Sequence, residues 1–426
     1  MTREPSAVSL IAEGFSRIAD AVGLILLCLL GWRMFFVFDS ALQTRALVVG
    51  LIGTLACWAD RRSAKNVPLA MLAYVAIGLI SAAVHSWSAV ASTPEPAWLS
   101  LFAPASHLVV MAVFIYGVAY LLRTPWRLSL FVVLVAASIG ILASQIAFDR
   151  ASVGFVYERG GPSLPSVPHW SGIHGASLFL TIGLPLVAAI AIASRSLARR
   201  VSGALLAAGL FGVAYLNGSR GGLVSMGLVA AAMVLFALVS RSRVRLKPVV
   251  LLGTVAVLLV GGAAATWSVR ARFANGQDFS GRTLIWEPTA RLALDHPWLG
   301  VGPGRFPQAI IESGYAKYYL TYYGALNNAH NLFLQTAAET GLIGATCLIV
   351  FTLWAVRACW RTWVSGETPI VALGVLFAVF GFLVHSVTEN FLDSRAEVER
   401  TRLLVWMVFA AACALQRLPR ACGHHA

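Results

Sequence analysis

Asn327, Asn328, Ala329, His330 and Asn331 stand where a polar, aromatic-rich stretch of roughly sixty residues gives way to an apolar one. Histidine ordinarily titrates near pH 6.5, so it can take or give a proton close to neutrality, and His330 is a candidate general base. The alternative is that it only caps or hydrogen-bonds the apolar helix expected from Leu332. Three arginines could act with it: Arg220 in Asn217-Gly218-Ser219-Arg220-Gly221-Gly222, Arg282 at the head of an apparent helix, and Arg159 beside Gly160 and Gly161. A guanidinium is always charged, and its planar fork suits phosphate oxygens. The glycines around Arg220 would leave room for a bulky anion to approach backbone N–H groups at a helix start. Each arginine also has a plainer reading: Arg220 as an interfacial anchor, Arg282 as the partner of Glu287 or Asp278, and Arg159 as a solvated loop charge. His174 and His385 sit in apolar surroundings and read as packed polar residues, while His296, before Pro297, shapes a turn.

The elements that must position these groups follow from composition. The chain is 58% hydrophobic and only 12% charged, with a mean hydropathy of +0.78, whereas soluble domains carry about 25% charged residues. This predicts an all-α integral membrane protein. Apolar runs long enough to cross the hydrocarbon as helices fall near 18–38, 45–59, 67–89, 99–122, 128–148, 173–194, 201–216, 221–240, 249–269, 332–358, 369–390 and 402–416, about twelve in all. The net charge of +14 is a topology signal. With the N-terminus inside, 18 of the 32 Lys and Arg fall on one side, for a net of +13 against +1 on the other. By the positive-inside rule that side is the cytoplasm, which disfavours a nucleic-acid partner. The first run is followed by Phe35-Phe36-Val37-Phe38, so the first helix is expected to remain as an anchor.

Long connections are expected in two places, 149–172 and 270–330, both on the outer side of a single polytopic domain spanning 1–426. Loops of that length are commonly functional. The second is expected to be partly helical, with Pro288 starting or kinking a helix and a turn-rich strip from His296 to Gly304. Tyr315, Tyr318, Tyr319, Tyr322 and Tyr323 could form an interfacial aromatic belt. The six cysteines suggest neither disulfides nor a metal site. No Asp-x-Asp pair, phosphate loop or His-Glu-x-x-His is present, and Gly302-Pro303-Gly304 lacks the strand-helix context of a dinucleotide fingerprint.

Asn328-Ala329-His330-Asn331 with Gly341, Gly281-Arg282-x-x-x-Trp286 with Asp295-His296-Pro297-Trp298-Leu299-Gly300-Val301-Gly302, and Ser219-Arg220-Gly221-Gly222 together resemble the O-antigen ligase and O-antigen polymerase superfamily. The pattern departs from the family's at Leu342 and Val224. The resemblance implies a GT-C-like glycosyltransferase of the bacterial inner membrane, with both termini cytoplasmic and a periplasmic active site. It implies transfer of a glycan from undecaprenyl diphosphate to lipid A-core, with no cofactor or metal. His330 would be the base, and Arg220, Arg282 and Arg159 would face the diphosphate, where fixed cations stabilise a leaving group that gains charge. Asn328 and Asn331 would support them. Direct attack by the acceptor hydroxyl predicts inversion. An O-antigen polymerase or a protein O-oligosaccharyltransferase would use the same donor. A transporter is disfavoured, because its ionisable groups should gather at mid-membrane in broken helices.

Overall fold

The computed structural model describes residues 7–36, 41–60, 68–90, 97–153, 172–239, 282–317, 326–366, 368–392 and 399–418. Eight long helices come first: α1 (Ala7–Phe36), α2 (Leu42–Ala59), α3 (Leu69–Val90), α4 (Ala97–Leu121), α5 (Pro125–Val153), α6 (Gly172–Ala193), α7 (Leu197–Asn217) and α8 (Arg220–Val239). Two short ones follow, α9 (Thr283–Asp295) and α10 (Phe306–Glu312). The last three are α11 (Leu332–Ser365), α12 (Pro369–Ser386) and α13 (Glu399–Leu415). Among the described residues, seven of these helices are long and apolar enough to cross a membrane, and the chain is a multi-pass membrane protein. The run expected at 249–269, Arg159 and most of the loop 149–172, Asp278, and Tyr318, Tyr319, Tyr322 and Tyr323 lie outside the described residues.

The centre of the bundle is α6, α12 and α13, whose side chains are buried nearly all round. With lipid tails as apolar as leucine, such helices associate through packing rather than water exclusion. Phe409 of α13 stacks on Phe351 of α11 with centroids 4.8 Å apart, and meets Phe382 of α12 edge to face at 5.7 Å. The outer helices instead carry exposed Ile25, Leu29, Leu51, Leu55, Leu130, Leu205 and Leu235.

The expected run 369–390 ends early as a helix. α12 stops at Ser386, and Val387 to Leu392 form a turn outside it. The turn is fastened to the helix end, with the Thr388 and Glu389 N–H groups donating to His385 O at 3.0 and 3.1 Å. Residues 282–317 fold as α9 and α10 over α11. Ile285, Leu292, Val301, Phe306 and Ile310 pack with Ala329, Ala337 and Ala338 in a small second core. Pro288 does not start a helix, since α9 begins at Thr283 and runs through it.

Candidate active site

His330 has a φ of 46°, and among the described residues it is the one non-glycine in the left-handed region. That conformation costs an L-residue on the order of 1–3 kcal/mol and persists only where the surroundings impose it. Here three side chains do so. The Asn328 carboxamide accepts the His330 N–H at 2.7 Å, and Gln335 Oε1 accepts the Ala329 N–H at 3.0 Å. Asn331 is the N-cap of α11 and accepts the Leu334 N–H at 3.0 Å, satisfying one of the donors a helix start leaves open. The motif is therefore a fixed corner that aims an imidazole.

It aims at Glu389, a residue that sequence reasoning missed. Its side chain is only 7% exposed. His330 Nδ1 lies 2.9 Å from Oε2, while Arg282 Nη2 at 2.5 Å and His174 Nδ1 at 3.1 Å share Oε1. Burial by itself would raise the carboxyl, but the hydrogen bond from His330 and the charges of His174, His330 and Arg282 outweigh it and hold the pKa at about 2. An ionised Glu389 accepts from Nδ1–H, so the lone pair of a neutral His330 sits on Nε2, on the far edge of a ring that is 33% exposed. A carboxylate that fixes the tautomer and orientation of a histidine is the arrangement of a general base and its orienting acid. The signal that could have revealed Glu389 was an ionisable residue closing an apolar run, which is costly unless paired.

Two readings of the sequence are corrected by this cluster. Arg282 pairs with Glu389, and Glu287, one of the partners expected for it, binds Arg291 at 2.7 Å instead. His174 is not a packed histidine, because its side chain is 47% exposed and it reaches Glu389. His385 is one, fully buried with its ring nitrogens 3.2 Å from Ser177 Oγ and 3.3 Å from Thr181 Oγ1.

Arg220 opens α8 and is half-buried. Its neighbour Gly221 lies against the cluster, where a Cβ would stand 2.9 Å from Thr388 Oγ1 and 3.8 Å from Arg282 Nη1. At Gly222 a Cβ would come within 2.5 Å of Ser177 Cβ, and the Gly222 N–H already donates to Ser219 Oγ at 3.2 Å. The expected room for an anion beside these two glycines is thus taken by the protein's own Thr388 and Ser177. The glycines bring the head of α8 up to Arg282. Of the six predicted residues, the structure gathers Arg282, His330, Asn328 and Asn331 directly around the Glu389 turn, puts the Arg220 backbone beside them, and does not describe Arg159. Tyr315 engages its hydroxyl with Asp295 at 2.5 Å.

Gly341 is a break in α11. At φ 71° and ψ 177° it interrupts the helix, and a Cβ there would lie 2.1 Å from Trp298 O. The strip after α9 is laid across the break. Val301 N–H and Gly302 N–H donate to Ala338 O and Glu339 O at 2.8 and 2.9 Å, and Leu342 N–H donates to Pro297 O at 2.8 Å. Ser81 of α3 donates to Leu299 O at 2.5 Å, and His85 Nε2 sits 2.6 Å from Gly300 O. Carbonyls freed by the break are satisfied, as apolar surroundings require. This strap ties α9, and so Arg282, to the helix that carries His330. Among the described residues no group of three or more His, Cys, Asp or Glu is placed to hold a metal ion.

No curated protein matches the chain. Residues 204–349 match the family model described as O-antigen ligase, a stretch that holds Arg220, Arg282, Asn328, His330, Asn331 and Gly341, while His174 and Glu389 lie outside it. Over this stretch the chain is similar to the O-antigen ligase family.

Proposed function

We propose that the chain is a lipopolysaccharide O-antigen ligase that moves a glycan from undecaprenyl diphosphate to a sugar hydroxyl of lipid A-core. The observation that carries this reading is the pairing of His330 and Arg282 on one buried carboxylate, Glu389. A base for the acceptor and a cation for the leaving group are thereby held within one site.

In this reading His330 Nε2 takes the proton of the acceptor hydroxyl as its oxygen bonds to the anomeric carbon. The bond from that carbon to the diphosphate oxygen breaks, and the electron pair leaves with undecaprenyl diphosphate. A single displacement inverts the anomeric centre. Base catalysis of this kind contributes roughly 10²–10⁴-fold. The arginines act electrostatically. Arg282, with Arg220 beside it and Arg159 from the preceding loop, faces the charge that develops on the diphosphate, and Asn328 and Asn331 hold the base in place.

Sidedness supports the same reading. The starts of α6, α8 and α11 and the end of α12 meet at Glu389, as alternate crossings require if they share one face. With the basic connections on the opposite face, the site is periplasmic, both termini are cytoplasmic, and the membrane is the bacterial inner membrane. About twelve crossings with a large partly helical periplasmic loop at 270–330 make a GT-C-like architecture.

The test is reconstitution of the pure chain with undecaprenyl-diphosphate glycan and either lipid A-core or a second lipid-linked glycan. Product on lipid A-core is expected, together with its loss in His330→Ala. Elongated lipid-linked glycan alone would make the protein a polymerase, and an unchanged rate in His330→Ala would remove the base assignment.

A further inference from the structure

His174 touches the same carboxylate as the proposed base, yet the reaction above gives it no task. It lies in the first turn of α6 and presents Nδ1 to Glu389 Oε1 at 3.1 Å, just as His330 presents Nδ1 to Oε2 at 2.9 Å. One buried acid thus orients two imidazoles in the same sense, each with Nε2 on its far edge. The His174 side chain is the more open of the two, 47% exposed against 33%. The ring centroids are 6.5 Å apart at 62°. That is too far for the rings to bond each other, since hydrogen bonds span roughly 3 Å, and close enough for both to reach neighbouring atoms of one sugar ring.

The backbone beneath His174 is fastened as well. Ser177 Oγ donates to His174 O at 2.8 Å and meets His385 Nε2 at 3.2 Å, and Thr181 Oγ1 donates to Ser177 O at 2.8 Å. The ring is therefore held in a fixed place. With Nδ1–H given to the carboxylate, a neutral imidazole offers a lone pair at Nε2. A lone pair accepts from a hydroxyl; an ionised phosphate oxygen has no proton to offer it.

We propose that His174 is a saccharide-binding residue of this site, its Nε2 accepting a hydrogen bond from an acceptor-sugar hydroxyl adjacent to the one that His330 deprotonates. The inference rests on the ligase reading. Its chemistry, hydroxyl recognition, would also fit a sugar of the donor glycan, and the assay separates the two.

The experiment uses the full chain reconstituted with undecaprenyl-diphosphate glycan and lipid A-core, with kcat and KM measured for each substrate in His174→Ala, His174→Gln and His174→Asn. A glutamine amide reaches about as far as Nε2, and an asparagine amide about as far as Nδ1. Loss of one hydrogen bond predicts an acceptor KM raised about tenfold in His174→Ala with kcat changed far less. Glutamine should restore acceptor KM and asparagine should not. Rescue by asparagine alone would make His174 only a brace for Glu389. An unchanged acceptor KM, or a rise confined to donor KM, would overturn the acceptor assignment. Thermal unfolding of each detergent-solubilised variant identifies any that misfolds, and the glutamine and asparagine pair then decides the matter. A wild-type chain that transfers nothing to lipid A-core would sink the ligase reading itself, and this inference with it.

Discussion

Replacing Glu389 by glutamine tests the site at its centre. The wild-type carboxylate accepts from Arg282, His174 and His330. An amide of the same shape offers one oxygen and one NH2 group, so at least one of those donors must face another donor. If that donor is His330, the imidazole moves its proton to Nε2 and ceases to be a base. Loss of general-base function of this kind predicts a fall in kcat of roughly 10²–10⁴-fold. Stability should fall too. Moving a carboxyl from its usual 4.5 to about 2 means that its surroundings favour the charged form by about 3 kcal/mol. Because the folded-state pKa is depressed, this contribution is fully present above the unfolded-state value of about 4.3 and is lost as pH falls from there through about 2. Glu389 therefore stays ionised between pH 7 and 5, and activity lost in that range does not report its protonation. The assay is turnover from pH 5 to 9 for wild type and Glu389→Gln, alongside thermal unfolding in detergent. A folded Glu389→Gln enzyme within threefold of wild-type kcat, with the same acid limb, would refute the claim that this acid orients the base.

Arg282→Lys keeps a positive charge and loses the planar fork, so kcat should fall at least tenfold while the chain still folds; wild-type turnover would show that charge alone suffices. Gly341→Ala places a Cβ 2.1 Å from Trp298 O at a φ of 71°, and a lower Tm together with lost turnover is expected, because the strap can no longer lie across α11. Asn331→Ala removes the N-cap bond to Leu334 and should cost about 1 kcal/mol in stability, read as a lower Tm, with a larger fractional loss in kcat because His330 is the adjacent residue.

The residues that sequence reading found were those whose signal is local. Asn328 to Asn331 and Ser219 to Gly222 are contiguous, and Arg282 heads a visible helical pattern. Glu389 was hidden because its partners are 59 and 107 positions away, and because it closes an apolar run that continues helical periodicity past Ser386. A hydropathy pattern cannot show where a helix unwinds. The break at Gly341 is hidden for a related reason, since a glycine within a helix ordinarily marks close packing and only the Trp298 strip reveals it. α7 was expected at 201–216 and runs from Leu197 to Asn217; its first turn holds Arg199 and Arg200, which apolar windows reject although a helix end tolerates them. Arg400 and Arg402 of α13 were unassigned by pattern. They are buried, with Arg400 donating to Met34 O at 3.1 Å and Arg402 to Gln43 Oε1 at 3.2 Å.

His385 shows what a structural histidine looks like in this protein, and the contrast argues for His330. Both rings lie near the Glu389 turn. His385 lies within α12, is fully buried, and has both ring nitrogens on the hydroxyls of Ser177 and Thr181. It holds helices together and offers nothing to a substrate. His330 has a left-handed backbone, one ring nitrogen on a carboxylate and a side chain that is one-third exposed. A helix cap requires none of these, because Asn331 already performs that task. The strained φ is instead supported by Asn328 from one side and by Gln335 through the Ala329 N–H from the other. Strain maintained by dedicated side chains, at a partly exposed residue whose ring is tied to a buried acid, is what aiming a base requires.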